Sequence, residues 1–206
     1  MPKDKLKIVQ LFKEIQYGDT TAFDELFLLY YDRLLAFARQ YTRNRESAEE
    51  ITSELFVKIW LKRNGLAEVI NPEVYMYVSI KNACINLLRS EKKRNFLFVE
   101  LPGDLLYEDC LDDNIMGMGD KELLGLLNQS VAALPEQRRI IFTLIKEQQL
   151  KTSEVAEILG ISIRTVESQL YKAVKTLANS ISGYLGYHPQ EKKSRKRILS
   201  KLSLFF

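Results

Sequence analysis

The chain has 206 residues, 46% of them hydrophobic, and a formal net charge of only +3, which suits one or two small domains with real cores. Nine glycines and five prolines are few, and apolar residues recur mostly at helical spacing, so the expected fold class is all-α. One histidine, His188, and two distant cysteines, Cys84 and Cys110, leave no His-based triad, multi-His metal site or redox motif to build.

Four helices are expected in the first ninety-odd residues. The first runs from about Lys5 to Tyr17 and stops at Gly18. The second starts near Asp19 or Thr20 and carries the stripe Phe23, Leu26, Phe27, Tyr30, Leu34, Phe37, Ala38 and Tyr41. The third spans about Glu46 to Arg63, with Ala48, Ile51, Leu55, Phe56 and Ile59 apolar. A loop from Asn64 to Ile70 follows. Asn71 and Pro72 then make a good N-cap and first position for a fourth helix, running to about Lys93. Composition changes at 96–121, which holds Pro102, Gly103, Gly117 and Gly119 with poor periodicity and reads as a linker. A second helical domain is expected over 122–185, broken at Leu134-Pro135, and 186–206 is a tail, basic and then apolar.

Charge is segregated along this plan. Lys81–Arg94 carries five basic residues and one acid, Glu100–Glu122 eight acids and one lysine, and Glu191–Lys201 six basic residues and one acid. Such blocks suggest separate partners for separate segments, at least one of them a polyanion. The charged, amphipathic N-terminus is no signal peptide, and no apolar run approaches the roughly 20 residues of a membrane span. With the cysteine usage, this points to the cytoplasm without membrane insertion.

The most specific segment is TSEVAEILGISIRTVESQLYK, Thr152 to Lys172. Thr152 or Ser153 is expected to cap one short helix, Gly160 to stop it and Ser162 to cap a second. Val155, Ala156, Ile158 and Leu159 are apolar on the first helix; Val166 and Leu170 face back from the second. Arg164, Thr165, Glu167, Ser168 and Lys172 are left facing outward. This is the pattern of a helix-turn-helix, whose second helix enters the DNA major groove.

Two further motifs accompany it. In EEITSELFVKIW, Glu49 to Trp60, Glu50 and Glu54 lie four apart on one helix face, where they can receive a partner's basic side chains. In YMYVSIKNACINLLRSEKKR, Tyr75 to Arg94, Asn82, Asn86 and Arg89 share one helix side, with Tyr75 and Tyr77 near its start. Amides can bond an exposed base edge, aromatics can stack on it, and Lys or Arg can hold phosphate.

Taken in order, the motifs resemble those of bacterial RNA polymerase sigma factors of the extracytoplasmic-function (ECF) group, within the sigma-70 family. The resemblance covers about 5–95 and 122–185. It implies that 1–95 is region 2, which binds core RNA polymerase and recognises and melts the downstream promoter element. It implies that 122–185 is region 4, which reads the upstream element, with 96–121 the variable linker. By the same resemblance, Glu49, Glu50, Ser53 and Glu54 contact polymerase, with Ser53 where the family usually has Gln. Tyr75, Lys81, Asn82, Asn86 and Arg89 meet the downstream element, Lys81 standing where Arg is usual, and the preceding loop captures a flipped base. Arg164, Thr165, Ser168 and Lys172 meet the upstream element. Arg138 and Arg139 are open to two roles, phosphate contact or a structural salt bridge. An anti-sigma partner is also implied.

The linker's 26 or so residues reach on the order of 90 Å when extended, against roughly 70 Å for two turns of DNA. Its acidity suits either mimicry of nucleic acid or a solvated connector. The tail is open to DNA phosphate, polymerase or the protein itself. No Gly-rich phosphate loop is present, so melting would use binding energy alone, with no cofactor and no catalytic residue. Two other readings remain to be distinguished. One is a stand-alone helix-turn-helix repressor or activator, which gives no role to Glu49–Trp60. The other is a nuclease holding a metal on Glu46, Glu50 and Glu54.

Overall fold

The computed structural model describes residues 2–42, 44–95 and 118–182, with no side-chain detail at 2–5, 93–95, 118–124 and 181. The expected linker (96–121, up to Gly117) and the tail lie outside the described residues. The chain divides into two compact units, Met1–Leu106 and Tyr107–Phe206. All regular structure among the described residues is helical.

In the N-terminal unit, α1 (Pro2–Gln16) ends where Gly18 takes φ +86°. Asp19 caps α2 (Thr20–Arg39): its side chain accepts from the Thr21 and Ala22 amides at 2.8 and 3.1 Å. Asn44 does the same for α3 (Arg45–Leu61), accepting from Glu46 at 2.8 Å. The expected loop after it is mostly a 3-10 helix, Arg63–Glu68, anchored by buried Leu66. Asn71 and Pro72 then open α4 (Pro72–Asn95), with Asn71 Oδ1 accepting from Val74 at 3.3 Å. Each of α1 to α3 packs on the next and also against α4. The core is Ile8, Leu11, Phe12 and Ile15 from α1, Leu26, Tyr30, Leu34 and Phe37 from α2, Ala48, Ile51, Leu55, Phe56 and Ile59 from α3, and Val74, Met76, Tyr77, Ile80 and Cys84 from α4. The expected stripe on α2 holds except at Phe27, which lies at its open edge, 37% exposed. Inside this core Tyr30 donates from its hydroxyl to buried Glu73 at 3.2 Å, tying α2 to the first turn of α4. Burial, and then the Glu73 charge, raise the Tyr30 hydroxyl above its ordinary pKa.

The C-terminal unit begins with α5 (Met118–Ala132), which starts before the expected Glu122. The Leu134-Pro135 break opens α6 (Glu136–Phe142), which widens into a π-helical turn, Thr143–Glu147. Gln149, at φ +58°, turns the chain toward α7 (Thr152–Leu159). Neither Thr152 nor Ser153 is the cap: the N-cap position is Lys151, whose side chain has no acceptor. Instead the Glu154 carboxylate reaches back to the Lys151 amide at 2.8 Å. Gly160 ends α7 at φ +71°, ψ 37°, and Ser162 caps α8 (Ile163–Ser182) by accepting from the Thr165 amide at 3.1 Å. Nothing lies within 4 Å of where a Cβ on Gly160 would sit, so Gly160→Ala should cost only the left-handed backbone penalty, roughly 1–2 kcal/mol. A chemical-denaturation curve of the purified chain checks this; a loss well beyond that range would mean the turn itself rearranges.

Candidate nucleic-acid and protein interfaces

Three exposed faces carry the residues singled out above. The first lies on α3. Glu50, Ser53 and Glu54 are exposed. Glu54 pairs along the helix with Lys58 at 2.8 Å, an exposed pair that a partner's cation can displace at little cost. Glu49 differs: it is half-buried, 2.7 Å from Arg45 and 3.8 Å from Arg39. Its carboxylate helps join α2 to α3 as well as facing outward. Beside Ser53 an open groove of about 430 Å³ runs between α2 and α3, lined by Phe23, Phe27, Phe56, Val57, Trp60 and Leu61 among others. Rings build its floor: Phe23 meets Phe56 and Trp60 edge-on at 6.2 and 5.2 Å, and Phe27 meets Phe56 at 4.9 Å. Arg63 lies 4.9 Å over the Trp60 ring. Val57 and Leu61 are 56% and 71% exposed, and Leu28 on α2 is 81% exposed. Acid flanking exposed aliphatic groups suits a partner helix with a basic and apolar face. These apolar residues escaped the sequence reading because they fall off the core stripe. Their position beside it was the available signal.

The second face is on α4. Asn82, Asn86 and Arg89 are exposed, at helical spacings of four and three, so the structure brings them together as expected. Lys81 is half-buried to one side. Tyr75 is half-buried, with Phe12 edge-on to its ring at 6.4 Å, and one turn back on the same line is Asn71. Tyr77 is not free to stack on a base: it is fully buried, edge-on to Phe37 at 5.1 Å, and burial raises its hydroxyl above the ordinary range. Cys84 lies beneath this face as a free, buried thiol pushed up to about 11 by desolvation, which makes it core and not a nucleophile.

The third face is on α8. Val166, Ala173 and Leu177 are buried, the last two with Leu134 and Phe142 in one cluster. Arg164, Ser168 and Lys172 are exposed on the other side. Thr165 is half-buried and its hydroxyl lies 2.8 Å from that of Ser162, so it shares in the cap. Tyr171, 68% exposed, and Lys175 stand seven and eleven residues beyond Arg164, hence on its line along the helix. Sequence reasoning missed both, though the spacing of seven was there to be read. Arg138 donates to the Gln169 side chain at 3.1 Å and Arg139 to the Ala132 carbonyl at 3.0 Å. Each therefore has a structural task, joining α6 to α8 and closing the end of α5.

Among the described residues no group of three His, Cys, Asp or Glu side chains is placed to hold a metal ion, and Glu54 is paired with Lys58. No helix among them is long and apolar enough to cross a membrane.

Comparison with known proteins accounts for both units. The family model for sigma-70 region 2 matches residues 26–94, and that for sigma-70 region 4 matches 124–177, together more than half of the chain. The chain is 22% identical over 183 residues to the ECF RNA polymerase sigma factor SigW of Bacillus subtilis, an alignment spanning 86% of this chain and 98% of that one. It is 27% identical over 182 residues to an RNA polymerase sigma-E factor of Streptomyces avermitilis, spanning 88% and 97%. Its fold is similar to that of the sigma factor RpoE of Bartonella quintana, solved with the anti-sigma factor NepR, at a TM-score of 0.58 and 18% identity over 78% of this chain and 96% of that one. CnrH, solved with the cytosolic domain of CnrY, is similar at a TM-score of 0.53 and 16% identity over 86% and 98%. A stand-alone repressor would leave the region 2 match without an explanation. Two helical units, one carrying a helix-turn-helix, and matches to both conserved regions lead to one conclusion: the chain belongs to the sigma-70 family and is an ECF RNA polymerase sigma factor, a transcription initiation factor and not an enzyme.

Proposed function

We propose a division of labour among the three faces. Residues 1–95 bind core RNA polymerase through Glu50, Ser53 and Glu54, with Glu49 at the edge of that contact and the α2–α3 groove taking the apolar side of the docked helix. The same unit holds the melted downstream element on α4, where Tyr75 stacks, Asn82 and Asn86 read base edges, and Lys81 and Arg89 hold phosphate. Residues 122–185 read the upstream element in the major groove through Arg164, Thr165 and Ser168, with Lys172 on phosphate. Tyr171 and Lys175 extend that contact along the strand. The chain works in the cytoplasm, and an anti-sigma partner holds it there by covering these faces. The observation that carries the reading is the exposed Arg164–Ser168–Lys172 side of a helix whose opposite side is buried in its own unit.

Run-off transcription with purified core polymerase on fragments of the source genome tests it. New transcripts from discrete start sites, dependent on this chain, are the expected result. No added transcripts, together with sequence-specific duplex binding by the chain alone, would support a repressor or activator instead. Within this reading Glu50→Lys should weaken core binding at least about tenfold at low salt, and less at high salt, because it sets like charges against each other. Titration of labelled protein with core polymerase measures this; unchanged affinity would remove α3 from the interface.

A further inference from the structure

The 3-10 turn before α4 is anchored at two adjacent points. Leu66 is buried in the unit. One residue on, the Ala67 amide donates to Gln16 Oε1 at 2.8 Å, across 51 positions of sequence. Gln16 is the last residue of α1. Its place is fixed because the chain turns immediately: the Tyr17 and Gly18 amides donate back to Glu14 and Ile15 at 3.0 and 2.9 Å. Past the anchor, the Val69 amide closes on Leu66 at 3.1 Å, and Asn71 caps α4. Between them stands Ile70, 97% exposed. A six-residue 3-10 turn has poor hydrogen-bond geometry and is an unusually long run of its kind. A tie from another element therefore weighs heavily in choosing its shape.

Core packing gives Ile70 no reason to be apolar. An isoleucine has no hydrogen-bonding side-chain group, so toward DNA it offers only apolar contact, to a sugar, a thymine methyl or a base face, the last as apolar wedges do between unstacked bases. It directly precedes Asn71, next to the start of α4, whose line of residues Tyr75, Asn82, Asn86 and Arg89 runs on from Asn71.

We infer that Gln16 is a positioning residue for promoter opening: it pins the turn at Ala67 so that Ile70 is presented to the separated strand. The inference rests on the reading of this loop and α4 as the surface that meets melted DNA. Helix α1 thereby acts at a distance in sequence on the loop beyond α3, with no DNA contact of its own required.

The chemistry of the tie gives the test. Glutamate keeps the acceptor that Ala67 needs, whereas methionine keeps the length and loses the acceptor. With full-length protein and core polymerase, strand opening is read by permanganate reactivity of thymines at a promoter mapped by run-off. Gln16→Met and Ile70→Ser should each reduce opening about fivefold, the scale of one net hydrogen bond or apolar contact. Gln16→Glu should stay within about twofold of the parent, and all three should bind core polymerase as the parent does. Normal opening by Gln16→Met, an equal loss in Gln16→Glu, or weakened core binding by Gln16→Met would each overturn the positioning role. A loss in Ile70→Ser with none in Gln16→Met would sink this inference alone. Normal opening by Ile70→Ser would remove the loop from the DNA, and the inference with it.

Discussion

Phe56→Ala is expected to destabilise the N-terminal unit by about 3–5 kcal/mol, the usual cost of emptying a buried phenylalanine site. Phe56 is 2% exposed and its ring meets those of Phe23, Phe27 and Tyr31. Small domains hold only about 5–15 kcal/mol in total, so the loss is a large share of what keeps α2 on α3. The measurement is built in: Trp60 is the chain's single tryptophan and packs on Phe23 at 5.2 Å. Its fluorescence therefore follows this unit alone during urea unfolding. Leu28→Ala is the control, since Leu28 is 81% exposed and should change stability by no more than about 0.5 kcal/mol. Equal midpoints for the two variants would show that the ring cluster is not part of the load of this core. The groove of the proposed polymerase contact has Phe56 in its floor, so core binding should fall with stability.

Arg164→Ala should cost about 1–3 kcal/mol at a promoter whose upstream element offers a guanine to it, a loss of roughly 5- to 150-fold. The same change should relax the choice of base at that one position. Lys172→Ala should behave differently, weakening all upstream sequences alike and lowering the salt dependence by about one phosphate contact. The side chains differ in what they offer: a planar fork that matches the guanine edge, against a point charge. Competition binding of region 4 promoter fragments, with each base of the upstream element varied in turn, separates the two. A uniform loss across all sequences for Arg164→Ala would place that guanidinium on phosphate.

Much of this fold was legible because its punctuation is chemical. Asp19, Asn71, Gly160 and Ser162 mark helix boundaries by what their side chains, or the lack of one, do to nearby amides. The core stripes of α2 and α3 were legible from period alone. The start of α7 was not, because its cap is supplied from inside the helix by Glu154 and the N-cap position holds a lysine. The 3-10 turn looks like plain loop in the sequence because what holds it, the core around Leu66 and the Gln16 tie, is supplied by other elements. Tyr77 has the position of a base platform near the start of α4, but tertiary packing against Phe37 buries it. The exposed apolar groups of the groove, and Tyr171 on α8, show the same limit from the other side. Periodicity tells which residues share a face, and only the neighbouring elements tell which faces are covered.

The N-terminal bundle is built so that each helix docks on the one made just before it, with short turns between them. Chains dominated by such local contacts fold in roughly microseconds to milliseconds, well inside the seconds needed to synthesise the remaining hundred-odd residues at about 5–20 residues per second. The N-terminal unit can thus be finished before the C-terminal unit leaves the ribosome. Folding of the N-terminal unit is then not the step that limits how soon a newly made chain can act.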